Sequence, residues 1–313
     1  MTKPLSPLAG PGALSAEATA ALLPWRALAD EIAALLQDAT VQVPARTVMP
    51  LAGGGSLFAM PAGDAHVAIA KLITFTPANA GTGHATIQGD VVVFDVDTGT
   101  RRLILDGPAV TARRTAAVSL LAAQRLAPAP QGPLLIVGAG AQGLAHLQAF
   151  VAGLGVAEVY IASRSPASAE ALASEARRLG VQARVVADAD AAAAECPLVV
   201  TCTPASGVVL RAAPRTDAFV AAVGAFTPQM VELDAALCRR LAQEGQAVVD
   251  TRDAEHEAGD LLQAGLDVAA MPSLADVVQG RCPRRPGPVL FKSCGWGGWD
   301  LAAARLALRT AAT

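Results

Sequence analysis

The strongest constraint on the fold is a glycine-rich turn that directly follows the short apolar run over residues 133–137 and precedes a helical pattern. The turn has the GxGxxG spacing and consists of Gly138, Ala139, Gly140, Ala141, Gln142 and Gly143. Glycines there permit a tight bend and the close approach of a pyrophosphate, and the helix N-terminus attracts its negative charge. A glycine turn can also be purely structural, but the strand–turn–helix context favours a dinucleotide-binding site.

Apolar runs recur after this turn at the spacing of alternating strands and helices. They read EVYIASRS, ARVV, PLVVTCT, AFVAAVGAF and QAVVD. Between the first two of these runs, a helix is predicted over residues 166–179. Ser165 can cap this helix, Pro166 suits its first turn, and Gly180 follows its end. The alternation predicts an α/β fold with a doubly wound parallel sheet of Rossmann type, covered by helices on both faces.

The first third of the sequence has a different pattern, which predicts a second, α+β unit. The predicted elements are a helix over residues 15–38, a strand over 66–75, a β-hairpin over 91–106 and a helix over 108–126 with Pro108 in its first turn. Two segments rich in proline and glycine or arginine, residues 128–133 and 281–288, predict loops that divide the sequence.

The residues at the end of the second strand of the glycine-turn unit indicate which nicotinamide cofactor is bound. An enzyme that uses NAD usually has an acidic residue here for the ribose hydroxyls, whereas this chain has Ser163, Arg164 and Ser165. Hydroxyl groups and a guanidinium suit a 2′-phosphate, so NADP(H) is the preferred cofactor and NAD(H) the second choice. The alternative is that Arg164 is a solvated loop residue and that the enzyme accepts either cofactor.

Two cations lie in otherwise apolar rows of side chains. Strand alternation puts Lys71 on one face with residues 67, 69 and 73, where burial would lower the pKa of the ammonium and suit it to proton transfer. The alternative is a lysine whose charged head reaches water. Arg114 lies in an apolar helical stripe and needs a partner there, for which a buried structural ion pair is the usual explanation.

Composition excludes several classes of protein. Of the 313 residues, 53% are hydrophobic and 16% are charged, which excludes global disorder. The formal net charge of −3 gives no general attraction to nucleic acid or to anionic membranes, and no apolar stretch reaches the roughly 18 residues of a membrane span. Residues 1–17 contain proline, glycine and serine where a signal peptide needs an unbroken apolar segment.

The five cysteines indicate a reduced, cytoplasmic protein. Their number is odd and none forms a CxxC pair, which fits neither a disulfide framework nor a zinc site. The acidic segment over residues 253–260 contains His256 but lacks the second histidine of an HExxH motif. This segment is interpreted as the polar face of a helix, and no metal is expected.

In their order and spacing, the motifs resemble those of the ornithine cyclodeaminase/μ-crystallin family over nearly the whole chain. Each matching string is ordinary by itself, so their combination carries the resemblance. The matching positions are Arg46, Met60-Pro61-Ala62, Lys71, Pro77, Asn79, Asp106, residues 111–117, the glycine turn, residues 200–204, Glu232-Leu233-Asp234, Ala258-Gly259-Asp260 and Phe291-Lys292-Ser293.

The resemblance implies two domains and a homodimer. Residues 1–127 and 295–313 would form the substrate-binding and dimerisation domain. Residues 128–294 would form the inserted dinucleotide-binding domain. Besides the glycine turn and the Ser-Arg-Ser segment, cofactor contacts are implied at Thr115, Thr201, Cys202, Thr203, Pro204, Val223, Gly224 and Ser293.

The resemblance also gives the isolated cations a common role. Arg46, which is uninformative by itself, would join Lys71 and Arg114 around the carboxylate of a small amino or imino acid. A bidentate arginine grips a carboxylate well, so this grouping is physically coherent. Lys71 would then also assist proton transfer, and two cations nearby would lower its pKa further.

One position departs from the cyclodeaminases, which have an aspartate where this chain has Phe226. Phenylalanine cannot take a proton or orient water, so the resemblance implies a ketimine reductase. The expected reaction reduces Δ1-pyrroline-2-carboxylate to L-proline, with the six-membered homologue, which gives pipecolate, as a second substrate. The alternatives are an ornithine cyclodeaminase, an alanine or N-alkyl amino acid dehydrogenase, and a non-enzymatic binding protein like some μ-crystallins.

Overall fold

Two large β-sheets, one antiparallel and one parallel, organise the chain. A computed structural model describes residues 12–79, 82–204, 206–212 and 214–312, so the signal-peptide expectation falls mostly outside the described residues. The two sheets confirm the predicted α/β class, with a Rossmann-type parallel sheet and a second unit of α+β type. Within the described residues, no helix combines the length and the apolar character that crossing a bilayer requires.

The first third of the chain builds the antiparallel sheet, whose strands are neighbours in sequence order. The strands are Thr47–Pro50 (β1), Ser56–Gly63 (β2), Val67–Phe75 (β3), Ile87–Asp95 (β4) and Arg101–Asp106 (β5). The predicted strand is confirmed as β3 and the predicted hairpin as β4 with β5, although β4 begins at Ile87 rather than Val91. The helices beside this sheet are Ala16–Ala21 (α1), Trp25–Leu35 (α2), Gly107–Leu126 (α3) and the last helix of the chain, Gly297–Ala311 (α10).

The single helix predicted over residues 15–38 is wrong. The chain forms α1 and α2 with a break at residues 22–24. Pro24 has no N–H for a continuing helix and disfavours helical geometry at the residue before it. The apolar spacing continues across the break and therefore did not reveal it.

The parallel sheet and its helices follow the predicted alternation. The elements are Leu134–Val137 (β6), Ala141–Leu154 (α4), Glu158–Ala162 (β7), Pro166–Arg178 (α5), Gln182–Val186 (β8), Ala189–Ala193 (α6), Leu198–Thr201 (β9), Ser206–Leu210 (β10), Phe219–Ala222 (β11), Val231–Leu233 (β12), Ala235–Glu244 (α7), Gln246–Val249 (β13), Gly259–Gln263 (α8), Leu274–Val278 (α9) and Val289–Lys292 (β14). Strands β10 and β12 pair with each other in a small separate sheet.

The strand order places a crevice beside the glycine turn. Seven parallel strands lie in the order β13-β14-β11-β9-β6-β7-β8. From β6 the chain builds one edge through β7 and β8, and it then returns to β9 on the other side of β6. Loops that leave the carboxyl ends of β6 and β9 therefore diverge, and open α/β sheets bind ligands at such a point.

Strand β14 was not predicted, and its place in the sheet determines where the last helix, α10, packs. It inserts between β13 and β11, after the predicted loop over residues 281–288. Its four residues are buried but too few to distinguish a strand by periodicity. From β14 the chain passes into α10, which packs against α2, α3, β2 and β3. We propose on this basis the division into residues 1–127 with 295–313 and residues 128–294.

Helix α3 connects the two sheets. It begins at the cap Asp106, whose carboxylate accepts the N–H of Ala109 at 2.7 Å, and Pro108 lies in its first turn as predicted. One buried apolar cluster runs from α2 through α3 to β6 and β9, and also includes Trp299 of α10. Functional side chains on α3 and α10 are therefore held rigidly next to the parallel sheet.

Ion pairs fasten α10 to the first third of the chain. Arg305 pairs with Glu31 at 2.7 Å, with Asp38 at 3.0 Å and with Asp64 at 3.3 Å. Arg309 makes a second contact with Glu31. The Glu31 side chain is only 5% exposed, so it depends on these arginines for compensation of its buried charge.

We expect Arg305→Gln to lower the free energy of unfolding by about 2 to 3 kcal/mol, because the cation that pairs with the buried carboxylates of Glu31 and Asp64 is lost. The matched control is Arg177→Gln, whose partner Glu170 is 60% exposed and whose loss costs about 0.5 kcal/mol. Urea denaturation of both variants measures the difference. Equal stabilities of the two variants would show that α10 is not fastened by this network.

Candidate active site

The three glycines of the turn meet three different requirements. Gly138 has a φ of +117°, and a Cβ on it would lie 2.7 Å from the carbonyl oxygen of Cys202. Gly143 allows close packing of α4, since a Cβ there would lie 2.1 Å from the carbonyl oxygen of Gly138. Gly140 precedes α4 as its cap, and a Cβ on it would meet no protein atom within 4 Å. The space at Gly140 is thus not needed by the protein itself and fits a pyrophosphate at the helix N-terminus.

A cleft of about 1010 Å³ extends from this turn along the carboxyl ends of the central strands. That volume suits a dinucleotide, and the cleft brings together most of the predicted cofactor residues. Those that line it are Gly138, Gly140, Ala141, Gln142, Ser163, Arg164, Ser165, Cys202, Thr203 and Pro204. The buried Oε1 of Gln142 has no hydrogen-bond partner among the described residues, as expected of a group reserved for a ligand.

Six other predicted cofactor residues do not line this cleft, and Gly143, which packs against Gly138, is one of them. Thr201 is fully buried, and Val223 and Gly224 follow β11 on the far side of β9. Thr115 is buried in α3, where its carbonyl oxygen accepts the Ser119 hydroxyl. Ser293 is 3% exposed and donates its hydroxyl to Asp250 at 2.8 Å. Their contact with a cofactor stays a prediction.

Glu232 ties together the two loops that carry several of these residues. Its Oε1 accepts the N–H and the hydroxyl of Thr203, and its Oε2 accepts the hydroxyl of Thr201 and the N–H of Gly224. The four distances lie between 2.7 and 3.0 Å. Burial nevertheless raises the pKa of Glu232, with Lys292 and the backbone donors opposing the effect. One carboxylate therefore fixes the loops after β9 and β11 relative to each other.

The prediction that residues 253–260 form the polar face of a helix is wrong. They form a 3-10 turn, Arg252–His256, and the start of α8, and Asp260 is 1% exposed. Asp260 pairs with the fully buried Lys292 at 2.8 Å and accepts the N–H groups of Glu232 and Leu233. Sequence spacing could not reveal this pair, because its members are 32 residues apart (292 − 260) on different elements. In the described residues, no cluster of side chains could hold a metal ion.

Lys71 is fully buried on the face of β3 that packs against α3 and α10, so the interpretation of a solvated lysine is wrong. Its Nζ donates to the Thr111 hydroxyl at 2.6 Å and to Asp300 Oδ1 at 2.9 Å. Burial lowers the pKa of Lys71 to about 8, Asp300 opposes this shift, and Arg114 adds to it. The ammonium can thus lose its proton near neutral pH, which suits an acid catalyst.

Arg114 and Lys71 share one carboxylate. Arg114 lies one helical turn after Thr111 on α3, and its Nε is 3.4 Å from Asp300 Oδ1. A Cβ on Gly295 would lie 3.1 Å from Arg114 Nη1, so the glycine leaves room for the guanidinium. Asp300 was missed by sequence reasoning, because a single acidic residue in an apolar helix carries no motif. Its presence within the buried stripe of α10 was the available signal.

Arg46 is not in contact with Lys71 or Arg114. It is half-buried immediately before β1, where its Nη2 bonds to Glu257. Burial raises the pKa of Glu257 to about 7, although Arg46 opposes the shift, and Asp250 raises it further. Asp250 in turn accepts the N–H groups of Cys294 and Gly295. The same carboxylate therefore acts on Glu257, the partner of Arg46, and holds the glycine that lies beside Arg114.

Phe226 lies in the loop after β11 and is 38% exposed. The backbone on its N-terminal side is fixed, since the Gly224 N–H is bound by Glu232 and the Ala225 carbonyl oxygen accepts Lys292 Nζ at 2.6 Å. This loop presents an exposed aromatic ring at the carboxyl edge of the sheet, at the position where the sequence resemblance implies an aspartate in cyclodeaminases.

Comparison with known proteins gives matches over almost the full length. The sequence profile of the ornithine cyclodeaminase/mu-crystallin family matches residues 15–312. Delta(1)-pyrroline-2-carboxylate reductase 1 of Burkholderia multivorans is 40% identical over 293 residues, 92% of each chain. The Delta(1)-pyrroline-2-carboxylate/Delta(1)-piperideine-2-carboxylate reductase of Azospirillum brasilense is 39% identical, again over 92% of each chain.

A solved structure also resembles the chain in fold. Delta(1)-pyrroline-2-carboxylate reductase of Thermococcus litoralis, in complex with NADH and L-proline, superimposes with a TM-score of 0.87. The identity is 24%, and the match covers 96% of this chain and 97% of that chain. At this identity the likeness shows the shared fold.

We expect Gly140→Ala to weaken dinucleotide binding by about tenfold or more, since its Cβ enters the space next to the α4 N-terminus. The melting temperature should change little, because no protein atom lies near that Cβ. Gly143→Ala is the contrasting variant, in which a clash with Gly138 should lower the melting temperature. Fluorescence titration and thermal unfolding distinguish the two, and unchanged affinity in Gly140→Ala would contradict the placement of the cofactor.

Proposed function

The chain belongs to the ornithine cyclodeaminase/mu-crystallin family, and we propose that it is an NAD(P)H-dependent reductase of cyclic ketimine carboxylates. The leading reaction is the reduction of Δ1-pyrroline-2-carboxylate to L-proline, the substrate class named for the bacterial relative at 40% identity. The observation that carries the proposal is the fully buried Lys71, bonded to Asp300 beside Arg114. A cluster of this kind provides a proton donor and a carboxylate-binding group at one place.

The side chains have separate tasks in this reaction. Arg114 binds the substrate carboxylate through guanidinium N–H groups that Asp300 does not use. An ammonium has three N–H groups, and Lys71 uses two of them for Thr111 and Asp300. The third N–H donates to the imine nitrogen, and a protonated C=N accepts hydride far more readily. A bound nicotinamide supplies the hydride.

Arg46 would complete the binding of the carboxylate. In the structure its guanidinium contacts Glu257, whose carboxylate is half-buried and easily protonated near neutral pH. A substrate carboxylate remains ionised at that pH and is the stronger acceptor for a guanidinium. We therefore infer that substrate binding weakens the Arg46–Glu257 contact and adds Arg46 to the site.

A six-membered ring is the second candidate substrate. It is favoured by the Azospirillum brasilense relative, whose name includes both the pyrroline and the piperideine carboxylates. The exposed ring of Phe226 offers an apolar contact for the methylene groups of either imine. It offers no proton acceptor for release of ammonia, so cyclodeamination of ornithine is not part of this proposal.

We expect the wild type to oxidise NADPH with Δ1-pyrroline-2-carboxylate and with Δ1-piperideine-2-carboxylate, and not with pyruvate plus methylamine. Lys71→Met should lower kcat by about 100-fold or more, because the proton donor is lost. NADPH affinity of the variant, measured by fluorescence, is the control for an intact cofactor site. A variant with wild-type kcat would contradict the role of Lys71, and ammonia release from ornithine by the wild type would contradict the choice of reaction.

The cofactor is a nicotinamide dinucleotide, and we propose that NADPH is preferred over NADH. Arg164 lines the cleft, is exposed, and has no hydrogen-bond partner among the described residues. Two acidic residues also line the cleft, but both already accept backbone N–H groups. Asp188 caps α6, and Asp190 accepts the N–H groups of Arg211 and Ala212 in the loop after β10. The guanidinium of Arg164 is thus available for a 2′-phosphate.

Arg164→Ala should lower kcat/KM for NADPH by about 10- to 100-fold, the effect of losing a charged hydrogen bond, with a smaller change for NADH. Arg184→Ala is the matched control, because its partner is Glu158 and it does not line the cleft. Steady-state kinetics with both cofactors give the comparison. Equal kcat/KM values for NADPH and NADH in the wild type would refute the preference.

We also propose a homodimer formed through the outer face of the antiparallel sheet. The face opposite Lys71 carries Leu72 and Met49, which are 47% and 49% exposed. Leu57, Val92 and Ile104 lie on the same face by strand register. These apolar side chains share one sheet face, which also carries Asp90 beside Leu72, and exposed apolar groups of this kind are typical of a protein–protein contact.

Leu72→Glu should convert the dimer to a monomer, because it places a charge in the centre of this face. Val185→Glu is the control, since Val185 is similarly exposed (44%) but lies on β8 in the other sheet. Light scattering after size exclusion measures the mass of each. A dimeric Leu72→Glu, or a monomeric wild type, would rule out this interface.

The state of the cysteines supports a reducing compartment, and we propose a cytoplasmic location. All five are free thiols. Burial raises the pKa of Cys196 and Cys238 to about 12, which makes these thiols poor nucleophiles. They are best interpreted as small apolar side chains of the core.

A further inference from the structure

Asp300 stands between the two cations of the site and is itself fully buried. Its Oδ1 lies 2.9 Å from Lys71 Nζ and 3.4 Å from Arg114 Nε. Its Oδ2 is buried and has no hydrogen-bond partner among the described residues. We propose that Asp300 is a positioning residue of the reduction, which keeps Lys71 charged inside the apolar core and fixes Arg114 beside it. This inference rests on the proposed function.

Among the described residues, Asp300 supplies the one negative charge that acts on Lys71. Met60 of β2 and Val91 of β4 are its direct neighbours in the sheet, and both are apolar and buried. The groups that act on its charge are Asp300 of α10, which attracts it, and Arg114 of α3, which repels it. Without Asp300, an ammonium in this place would face burial and a second cation together, and both favour its neutral form.

The charge balance also selects the ligand. Lys71 and Arg114 contribute two positive charges and Asp300 one negative charge, so this buried cluster carries a formal charge of +1; Arg46 is not counted in it, because Arg46 has its own counter-charge in Glu257. A monocarboxylate cancels this charge on binding. A ligand without a carboxylate would leave the buried cluster charged, which is costly in an apolar environment. Asp300 thus offsets one of the two positive charges and leaves the other for the single carboxylate of the substrate.

Asp300 also leaves one N–H of Lys71 free in a fixed direction. Thr111 and Asp300 take two of the three N–H groups, and the Thr111 hydroxyl is itself held by the Gly107 carbonyl at 2.8 Å. A reduced nicotinamide, when bound, would supply the hydride to the carbon of the C=N bond and would itself be oxidised. The π electron pair would move to nitrogen, and that nitrogen would take the third proton from Nζ of Lys71. Lys71 is left as a neutral amine and regains its proton from water, while Asp300 takes no part in the proton transfer.

The chain allows a direct measurement, because it contains only three lysines, at positions 3, 71 and 292. Protein labelled with ¹³C at lysine Cε therefore gives three NMR signals, and Lys71→Met assigns the one from Lys71. In the wild type we expect this signal to titrate near pH 8. In Asp300→Asn, which keeps the side-chain shape and removes the charge, the titration should move down by about one to three pH units.

Arg114→Met gives a second, opposite readout that does not depend on the folding of Asp300→Asn. Removal of the like charge should move the Lys71 titration to higher pH. A Lys71 titration that is unchanged in both variants would overturn the inference. The NMR measurement needs no substrate, so it decides the role of Asp300 even if the wild type reduces no imine and the proposed function fails.

The kinetic counterpart is the pH profile of kcat/KM for imine reduction. Lys71 must be protonated to act as the donor, so activity falls as the pH rises through its pKa. The basic limb of Asp300→Asn should lie at lower pH than that of the wild type by the same interval as the NMR titrations. Titration of the substrate is common to both enzymes and cancels in the difference. A uniform loss of activity without a shifted limb would assign Asp300 a merely structural role and overturn the proposal.

Discussion

The site depends on one buried ionic contact, between Asp300 of the last helix and the two cations Lys71 and Arg114. Neither cation could be buried alone, because the removal of a charge from water costs several kcal/mol that only a close counter-charge offsets. The contact joins β3, α3 and α10, which come from the beginning, the first third and the end of the chain. The unit built on the antiparallel sheet and its buried ionic contact are therefore complete only when the chain has passed through the parallel sheet and returned.

A second buried carboxylate, Glu232, does for the loops beside the cleft what Asp300 does for the two cations. Glu232 accepts four hydrogen bonds from the ends of β9 and β11. Its own N–H donates to Asp260, which pairs with Lys292. Both carboxylates lie in the interior, and both hold flexible backbone or long side chains in a single arrangement. Preorganisation of this kind places catalytic groups without reorganisation during the reaction.

The two sides are joined by apolar packing, and the Arg46–Glu257 ion pair is a further contact between them. Helix α3 carries Thr111 and Arg114, and its other faces pack against α4 and the central strands. The family resemblance implies an aspartate in the cyclodeaminases at the position of Phe226. A difference at one loop can thus change the reaction while the scaffold for cofactor and carboxylate stays the same.

The sequence by itself determined the glycine turn, the parallel sheet and its helices, the hairpin, and the membership of Lys71 in an apolar strand face. These are local patterns, since each depends on residues within a few positions of one another. Pro24 is visible in the sequence, but the apolar spacing continues across it and led to the prediction of a single helix. Tertiary structure alone decided which charges meet. Asp300 lies 229 positions from Lys71, and Glu257 lies 211 positions from Arg46. A partner that far away is selected by the course of the whole chain, and its side chain carries no sign of the contact, because a lone aspartate in a helix is compatible with water as well as with a buried lysine.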